Sequence, residues 1–263
     1  MTVNTITVGV AILQFAVLLV VCALSIRFIL YKCRSLQVVF FTFAIASALL
    51  SNIYWVTYDI LIPDKRMPFA ANEIAEWATL LLYGSSLMSA SGIRTASAKL
   101  HMFLSALLVA ANTVLWIAWS GEWIQDILTG LSMGYFFCCL VYVLKQTEAL
   151  NRAEWTLTAF ACFGATAVQA VSFFVPGETV AVLDIISFSL IFSCILYFFI
   201  RMVAMYIRKA EQDRRHYISF LAYSLSQLTM YMSSDSFYTI ALISFTLCFP
   251  LMFYTIIKEN EPA

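Results

Sequence analysis

The second long apolar stretch of the chain carries three residues suited to binding a cation. Asn52, Trp55 and Asp59 follow one another at i, i+3 and i+7, a spacing that puts them on one face of an α-helix. An aromatic ring beside a carboxylate attracts a cation, through the ring quadrupole and through charge-assisted hydrogen bonds. This face is therefore the best candidate ligand site in the sequence.

Two further acids begin the next apolar stretch. Glu73 and Glu76 are three residues apart, so on a helix their carboxylates share a face and repel each other. They require a proton, a bound cation, or a basic side chain from the preceding loop, which holds Lys65 and Arg66. The sequence thus leaves two interpretations open: a salt bridge from this loop to Asp59 or Glu76, or a cation site.

Helices that cross a membrane must position these side chains. Of the 263 residues, 62% are hydrophobic and only 11% are charged, whereas soluble domains carry about 25% charged residues. A bilayer core about 30 Å thick requires roughly 20 mainly apolar residues per helix. The runs that meet this length are 5–30, 37–61, 72–91, 99–119, 123–144, 154–175, 180–207, 215–232 and 236–257. We predict an all-α fold, a polytopic transmembrane helix bundle that forms a single integral membrane domain over residues 1–263.

The count of nine spans depends on the eighth run. Residues 215–232 form a short stretch that contains Gln227 and several hydroxyl residues, so a half-crossing that packs against the ninth span is the alternative. Seven or eight full spans would then remain. Charge favours nine, because thirteen of the fifteen Lys and Arg then fall on one side of the membrane and only Lys65 and Arg66 on the other. The positive side is cytoplasmic, which puts the N-terminus outside and the C-terminus inside.

Polar residues within the spans concentrate at one depth, nearer the predicted outer end. They are Gln14, Asn52, Asp59, Asn112, Asp126, Gln169, Asp184 and Gln227. A buried polar group costs free energy unless it is paired, and intramembrane acids face the bundle interior or a water-filled cavity. We therefore expect an outward-facing polar, acidic and aromatic cavity that an apolar plug closes below.

The helix dipole offers a competing explanation for some of the acids. An acid in the first turn of a helix is stabilised there without any function, which accounts for Glu73. Asp126 and Asp184 lie more than one turn inside their predicted helices, and Asp59 lies at a helix C-terminus, where the dipole disfavours an anion. These three acids therefore remain candidates for the cavity together with Glu73 and Glu76.

Catalytic chemistry has no visible motif in this chain. The sequence contains no His-Glu-x-x-His, no Gly-x-Ser-x-Gly and no Gly-rich phosphate loop. Its only two histidines, His101 and His216, fall at the predicted cytoplasmic edge, and no lysine falls within a span, which excludes a retinal Schiff base. We predict no catalytic residue, no metal site, no cofactor and no nucleic-acid partner.

The leading hypothesis is a membrane sensor or ligand-binding module that binds a small cation outside and signals through a separate cytoplasmic or membrane partner. In general layout the chain is similar to the multi-span sensor halves of bacterial membrane kinases, a similarity of topology alone. A transporter or carrier for a small cation or amine is the first alternative, and it requires polar groups that continue to the inner side. An intramembrane lipid-modifying enzyme, with Asp59, Glu73 or Glu76 as acid or base, is the second. The lack of an Asn-x-Ser/Thr sequon favours a bacterial inner membrane as the location.

The charge distribution predicts the location of each terminus. A fluorescent reporter fused after Ala263 should fluoresce, because the C-terminus should lie in the cytoplasm, and an alkaline phosphatase fused at the same position should be inactive. The measurement is the activity of both fusions in the same bacterial strain. An active phosphatase at this position would overturn the odd number of spans.

Overall fold

A computed structural model describes residues 5–61, 71–90, 99–120, 123–146, 151–208, 215–233 and 235–261. Within these ranges the chain forms nine helices and no strand. They are α1 (Thr5–Tyr31), α2 (Leu36–Leu61), α3 (Ala71–Ala90), α4 (Lys99–Ser120), α5 (Trp123–Gln146), α6 (Arg152–Ser172), α7 (Gly177–Ile207), α8 (Arg215–Met232) and α9 (Asp235–Glu259). Each helix lies within three residues of the run predicted for it, which confirms the all-α fold and the polytopic helix bundle.

Seven of these helices, all except α3 and α8, are long and apolar enough to cross a membrane. The chain is therefore a multi-pass membrane protein. The two exceptions lie largely inside the bundle: on α8 most side chains are buried or half-buried, including Tyr217, Phe220 and Tyr223. Since neighbouring helices rather than lipid surround them, α3 and α8 can carry polar side chains. With 18 residues, α8 is one continuous helix, about 27 Å long at 1.5 Å per residue.

The helices form a ring and an arc. Contacts run from α1 to α2, α2 to α3, α3 to α5, α5 to α8, α8 to α9 and α9 back to α1, so six helices enclose a common interior. The arc consists of α4, α6 and α7, which pack in that order between α5 and α8 on the outside of the ring. Exposed Leu, Ile and Phe side chains cover the outer faces of the bundle, as expected where lipid is the solvent.

Local sequence features favour the start of two helices, α6 and α7. Asn151 caps α6 in a reciprocal capping box: its side-chain oxygen accepts from Glu154 N at 2.9 Å, while the Glu154 carboxylate accepts from Asn151 N at 2.7 Å. This arrangement satisfies donors that the first turn of a helix leaves unpaired. Pro176, whose fixed φ suits the start of a helix, directly precedes α7.

Polar contacts fasten the end of the bundle that the charges predict to be cytoplasmic. Lys32, after α1, forms an ion pair with Glu261 at 3.2 Å. Asn260 donates a hydrogen bond to Gln37 Oε1 on α2 at 2.9 Å. These contacts join the C-terminal end of α9 to α1 and α2, so the ring is closed at this end. Exposed ion pairs of this kind contribute little stability individually, and their effect here is mainly on geometry.

Two glycines on α5 allow α4 to approach closely. A Cβ added at Gly130 would collide with the side chain of Thr113, and a Cβ at Gly134 would collide with Val109. Small residues four apart are a common means of bringing helix backbones together in lipid. Gly130 and Gly134 have this spacing, and the structure shows the close approach of α4 at both positions.

The α4–α5 contact can be tested with a matched pair of glycine variants. Gly130→Leu should destabilise the protein by about 1–3 kcal/mol, because the new side chain overpacks the interface at Thr113. Gly164→Leu on α6 is the control, since nothing lies within 4 Å of a Cβ placed there. Thermal melting in detergent measures both. A Gly130→Leu protein that melts with the wild type would show that this face does not pack against α4.

Candidate functional site

A cavity of about 310 Å³ lies at one end of the ring, with residues from α1, α2, α3, α4, α5, α8 and α9 in its walls. At this side of the bundle α1, α3, α5 and α9 begin, and α2, α4 and α8 terminate, as expected for helices that alternate in direction. Glu73, Glu76 and Asp126 contribute carboxylates to this cavity. Among its described lining residues there is no Lys, Arg or His.

Glu76 is the acid whose surroundings are best defined. Its Oε1 accepts hydrogen bonds from Ser51 Oγ on α2 at 3.4 Å and from Asn72 Nδ2, one turn earlier on α3, at 3.3 Å. The side chain is nonetheless exposed to the cavity. Within the part of the chain that the structure describes, no cationic group pairs with it. The single proton of Ser51 Oγ is shared with Asn72 Oδ1, which is the closer acceptor at 2.5 Å. The contact from Ser51 to Glu76 is therefore the weaker branch of a shared hydrogen bond, and Asn72 links the two residues.

Asn52 joins α2 to α1 and leaves one acceptor unused. Its Nδ2 donates to Gln14 Oε1 at 3.1 Å, and both residues line the cavity. Only 7% of the Asn52 surface is exposed. Among the described residues, no donor reaches its Oδ1, and most buried acceptors in proteins do have a partner. This oxygen is itself buried, so it lies behind the wall of the cavity.

Hydrogen bonds also connect α3 to α5 across the cavity wall. Gln125 Nε2 donates to Glu73 Oε1 at 2.9 Å, and Trp77 Nε1 donates to Thr129 Oγ1 at 2.9 Å. The second bond satisfies the polar edge of a largely buried indole. Polar groups from four ring helices are therefore ordered around one space.

Tryptophans supply the apolar part of the walls. Trp55 on α2, Trp77 on α3 and Trp116 on α4 all contact the cavity. Their aromatic faces suit either a cation or an apolar group. Carboxylates and indole rings thus surround the same volume, an arrangement suited to an organic cation with a small apolar body.

An aromatic cluster closes the cavity towards the middle of the bundle. We call it the aromatic floor, and it consists of Tyr83, Phe136, Phe220, Tyr223, Phe245 and Phe249, all buried. The ring centroids of Tyr83 and Tyr223 are 5.1 Å apart, and those of Tyr223 and Phe245 are 4.9 Å apart. Tyr83 lies seven residues beyond Glu76 on α3, about 10 Å deeper. The polar space therefore ends well before the opposite end of the bundle.

The structure brings together most of the site residues that the sequence predicts. Asn52, Trp55, Glu73, Glu76 and Asp126 all line the cavity. Asp126 lies in the first turn of α5, however, and not more than one turn inside the helix as expected, so the helix dipole stabilises it as it does Glu73. The side chain of the sixth, Asp59 at the end of α2, lies outside the described residues, as do Lys65 and Arg66. The proposed salt bridge between that loop and Asp59 therefore stays a prediction.

Asp184 is the exception among the described candidates, because the structure places it in another part of the bundle. It does not line the cavity. Instead, its Oδ1 accepts a hydrogen bond from Gln169 Nε2 at 3.0 Å, which joins α7 to α6. Asn112 is likewise paired outside the cavity, with Thr166 Oγ1 at 2.9 Å. The polar layer is thus divided between a cavity in the ring and isolated pairs in the arc, since α4, α6 and α7 satisfy their polar groups among themselves.

Sequence reasoning missed three residues that order the site: Ser51, Asn72 and Gln125. A signal existed for Asn72, because residues four apart on a helix are neighbours and Asn72 precedes Glu76 by four. Ser51 and Gln125 directly precede Asn52 and Asp126 in the sequence. Their partners lie on another helix, however, and no spacing within one segment indicates such a contact.

The described residues contain no group of three or more His, Cys, Asp and Glu side chains with the geometry to hold a metal ion. The fold and this site together define a polytopic α-helical membrane protein with a polar, acidic and aromatic cavity at one end of its bundle. Compared with known proteins, the chain matches no family model, no curated protein and no solved structure.

Thiol labelling can test whether water reaches this cavity. In a background without native cysteines, Glu76→Cys should react readily with a small membrane-impermeant thiol reagent added from outside, because position 76 is exposed to the cavity. Ser224→Cys, at a position that is 5% exposed on α8, should react far more slowly. Equal and slow labelling at both positions would show that the cavity is closed to the outside.

Proposed function

We propose that the protein is a membrane sensor that binds a small organic cation in this cavity and signals through a separate partner. The observation that carries the proposal is the environment of the Glu76 carboxylate. Its carboxylate opens into a cavity with tryptophan walls, and among the described residues no basic side chain pairs with it. A carboxylate in such a place is stabilised by a cationic ligand, since an unpaired charge away from bulk water is costly.

The size and the walls of the cavity favour an organic ligand over a bare metal ion. Its volume of about 310 Å³ corresponds to the lower end of small-molecule pockets, which are about 300–1,000 Å³. A bare ion would leave most of this space to water. An alkylammonium ion would instead place its charge near Glu76 and its apolar part against Trp55 or Trp77, where it gains from both burial and cation–π attraction.

The aromatic floor supports a binding module in preference to a carrier. A carrier requires a polar route to the other side, whereas packed rings such as Tyr83, Phe220 and Tyr223 lie beneath the cavity. The segments between the helices are also short, so the proposed signal passes to a separate cytoplasmic or membrane partner through movement of the helices. The proposed setting is a bacterial inner membrane, with the cavity facing outside and the C-terminus in the cytoplasm.

A thermal-shift experiment tests cation binding. Propylammonium chloride should raise the melting temperature of the purified protein, whereas 1-propanol and sodium chloride at matched concentrations should not. At a hundred times its dissociation constant, a ligand stabilises the folded state by about 2.7 kcal/mol. Glu76→Gln should abolish the shift, because it keeps the shape of the side chain and removes its charge.

The control for this experiment is Asp184→Asn, which removes an acid at the same depth but outside the cavity. This variant should keep the full shift. No shift in the wild type, or an undiminished shift in Glu76→Gln, would contradict the proposed function.

A further inference from the structure

We propose that the protein has a second site, in which an anionic phospholipid places one acyl chain in a groove between α4 and α5 and its headgroup beside Lys99 and Lys145. The groove has a volume of about 770 Å³, and Met88 of α3 also lines it. None of its described lining residues belongs to the cavity that contains Glu76. The inference is therefore independent of the proposed function.

The groove is apolar and as long as a spanning helix. On α4 its lining extends from His101 to Ile117, a length of about 24 Å at 1.5 Å per residue, which is most of a bilayer core of about 30 Å. No described lining residue is Asp, Glu, Lys or Arg. Ala106 and Gly134 lie in the half that begins at His101, and their small size leaves room for a chain to contact both helices. Ala106 is exposed there.

Positive charge is found at one end of this groove. Lys99 is the first residue of α4, two positions before His101. Lys145 lies one turn beyond Tyr142, near the end of α5. The ring centroids of His101 and Tyr142, which both line the groove, are 5.1 Å apart, so the helix ends that carry the two lysines lie together. Among the described residues no acid forms an ion pair with either lysine.

The lysines supply this charge, because His101 is neutral in the observed hydrogen bonds. Trp155 Nε1 can only donate, and it donates to His101 Nδ1 at 3.4 Å. The other ring nitrogen, Nε2, lies 3.2 Å from the carbonyl oxygen of Cys138 and therefore carries the proton and donates. The ammonium group of Lys145 lies 4.3 Å from the centroid of the Trp155 ring. This contact holds the cation at the end of the groove.

An apolar groove with cations at one end matches the two parts of an anionic phospholipid. The lysines lie at the end of the bundle that the charges predict to be cytoplasmic, and basic residues at a membrane surface attract anionic lipids. A zwitterionic phospholipid has the same acyl chains but no net charge, so it gains only the contacts in the groove. A free phosphate ion gains only the attraction of the lysines. The charge complementarity thus selects the anionic lipid.

Native mass spectrometry of the full chain in detergent tests this inference with two lipids that differ only in the headgroup. The first dioleoylphosphatidylglycerol should bind at least about fivefold more tightly than the first dioleoylphosphatidylcholine, the factor expected from one lysine near an anionic lipid. Replacing both Lys99 and Lys145 by Gln should bring this ratio to near one. Replacing both Lys32 and Lys258 by Gln is the control, since it removes two charges at the same end but outside the groove and should keep the ratio.

A second pair of variants separates a bound lipid from a bound anion. Ala106→Phe should weaken the binding of both lipids at least about fivefold, because the new ring fills the groove from an exposed position. Ala118→Phe is the control, since Ala118 is exposed on the same helix and does not line the groove. If Ala106→Phe does not fold, Ala106→Leu replaces it.

Three results would overturn the inference. Equal binding of the two lipids, or a ratio that survives the loss of Lys99 and Lys145, would show that these lysines do not select the headgroup. Phosphatidylglycerol binding that Ala106→Phe leaves unchanged would show that the lipid does not occupy the groove. A dimer without bound lipid in the wild type, converted to a monomer by Ala106→Phe, would show that a second copy of the chain fills the groove instead.

Discussion

The desolvation cost of carboxylates inside a membrane is the constraint on which the rest of this structure depends. An ionised acid that faces lipid costs several kcal/mol, so it must face other helices, a counter-charge or water. Glu73, Glu76 and Asp126 all point into one space within the ring. The acids lie on α3 and α5, which pack against each other and against α2, α4 and α8. The two helices that are not apolar enough to count as candidate spans, α3 and α8, expose few of their side chains.

The same constraint explains what the sequence predicts well. A chain in lipid must form helices, because only helices and closed barrels satisfy every backbone group there. The apolar runs therefore translate directly into α1 to α9, and α8 begins at Arg215 and ends at Met232, as its run predicts. The sequence also predicts the depth of each residue in the membrane, because the position of a residue along a spanning helix sets its height. For this reason the sequence places Asn52, Glu76 and Asp126 at a common level before any contact between helices is known.

The sequence does not predict which helices contact each other. Asp184 and Asp126 have similar positions within their predicted helices, yet one pairs with Gln169 in the arc and the other lines the cavity. The difference arises from which helices are neighbours, and neighbours such as α3 and α5 are not adjacent in the chain. The same limit applies to Ser51, whose role depends on its contact with Glu76 on another helix. Asp59 has the most suggestive spacing in the sequence, and its part in the site remains a prediction.

Locating a bound ligand is the most direct test of the central claim that this cavity is an ammonium site. Crystals grown in a lipid phase with 3-bromopropylammonium would reveal the bromine through its anomalous scattering. We predict one strong peak inside the ring, above the aromatic floor and next to Trp55 or Trp77, with the ammonium group within about 3 Å of the Glu76 carboxylate. A cavity without the ligand, while bromine peaks occur only on the lipid-facing surface or at the opposite end of the bundle, would contradict this account.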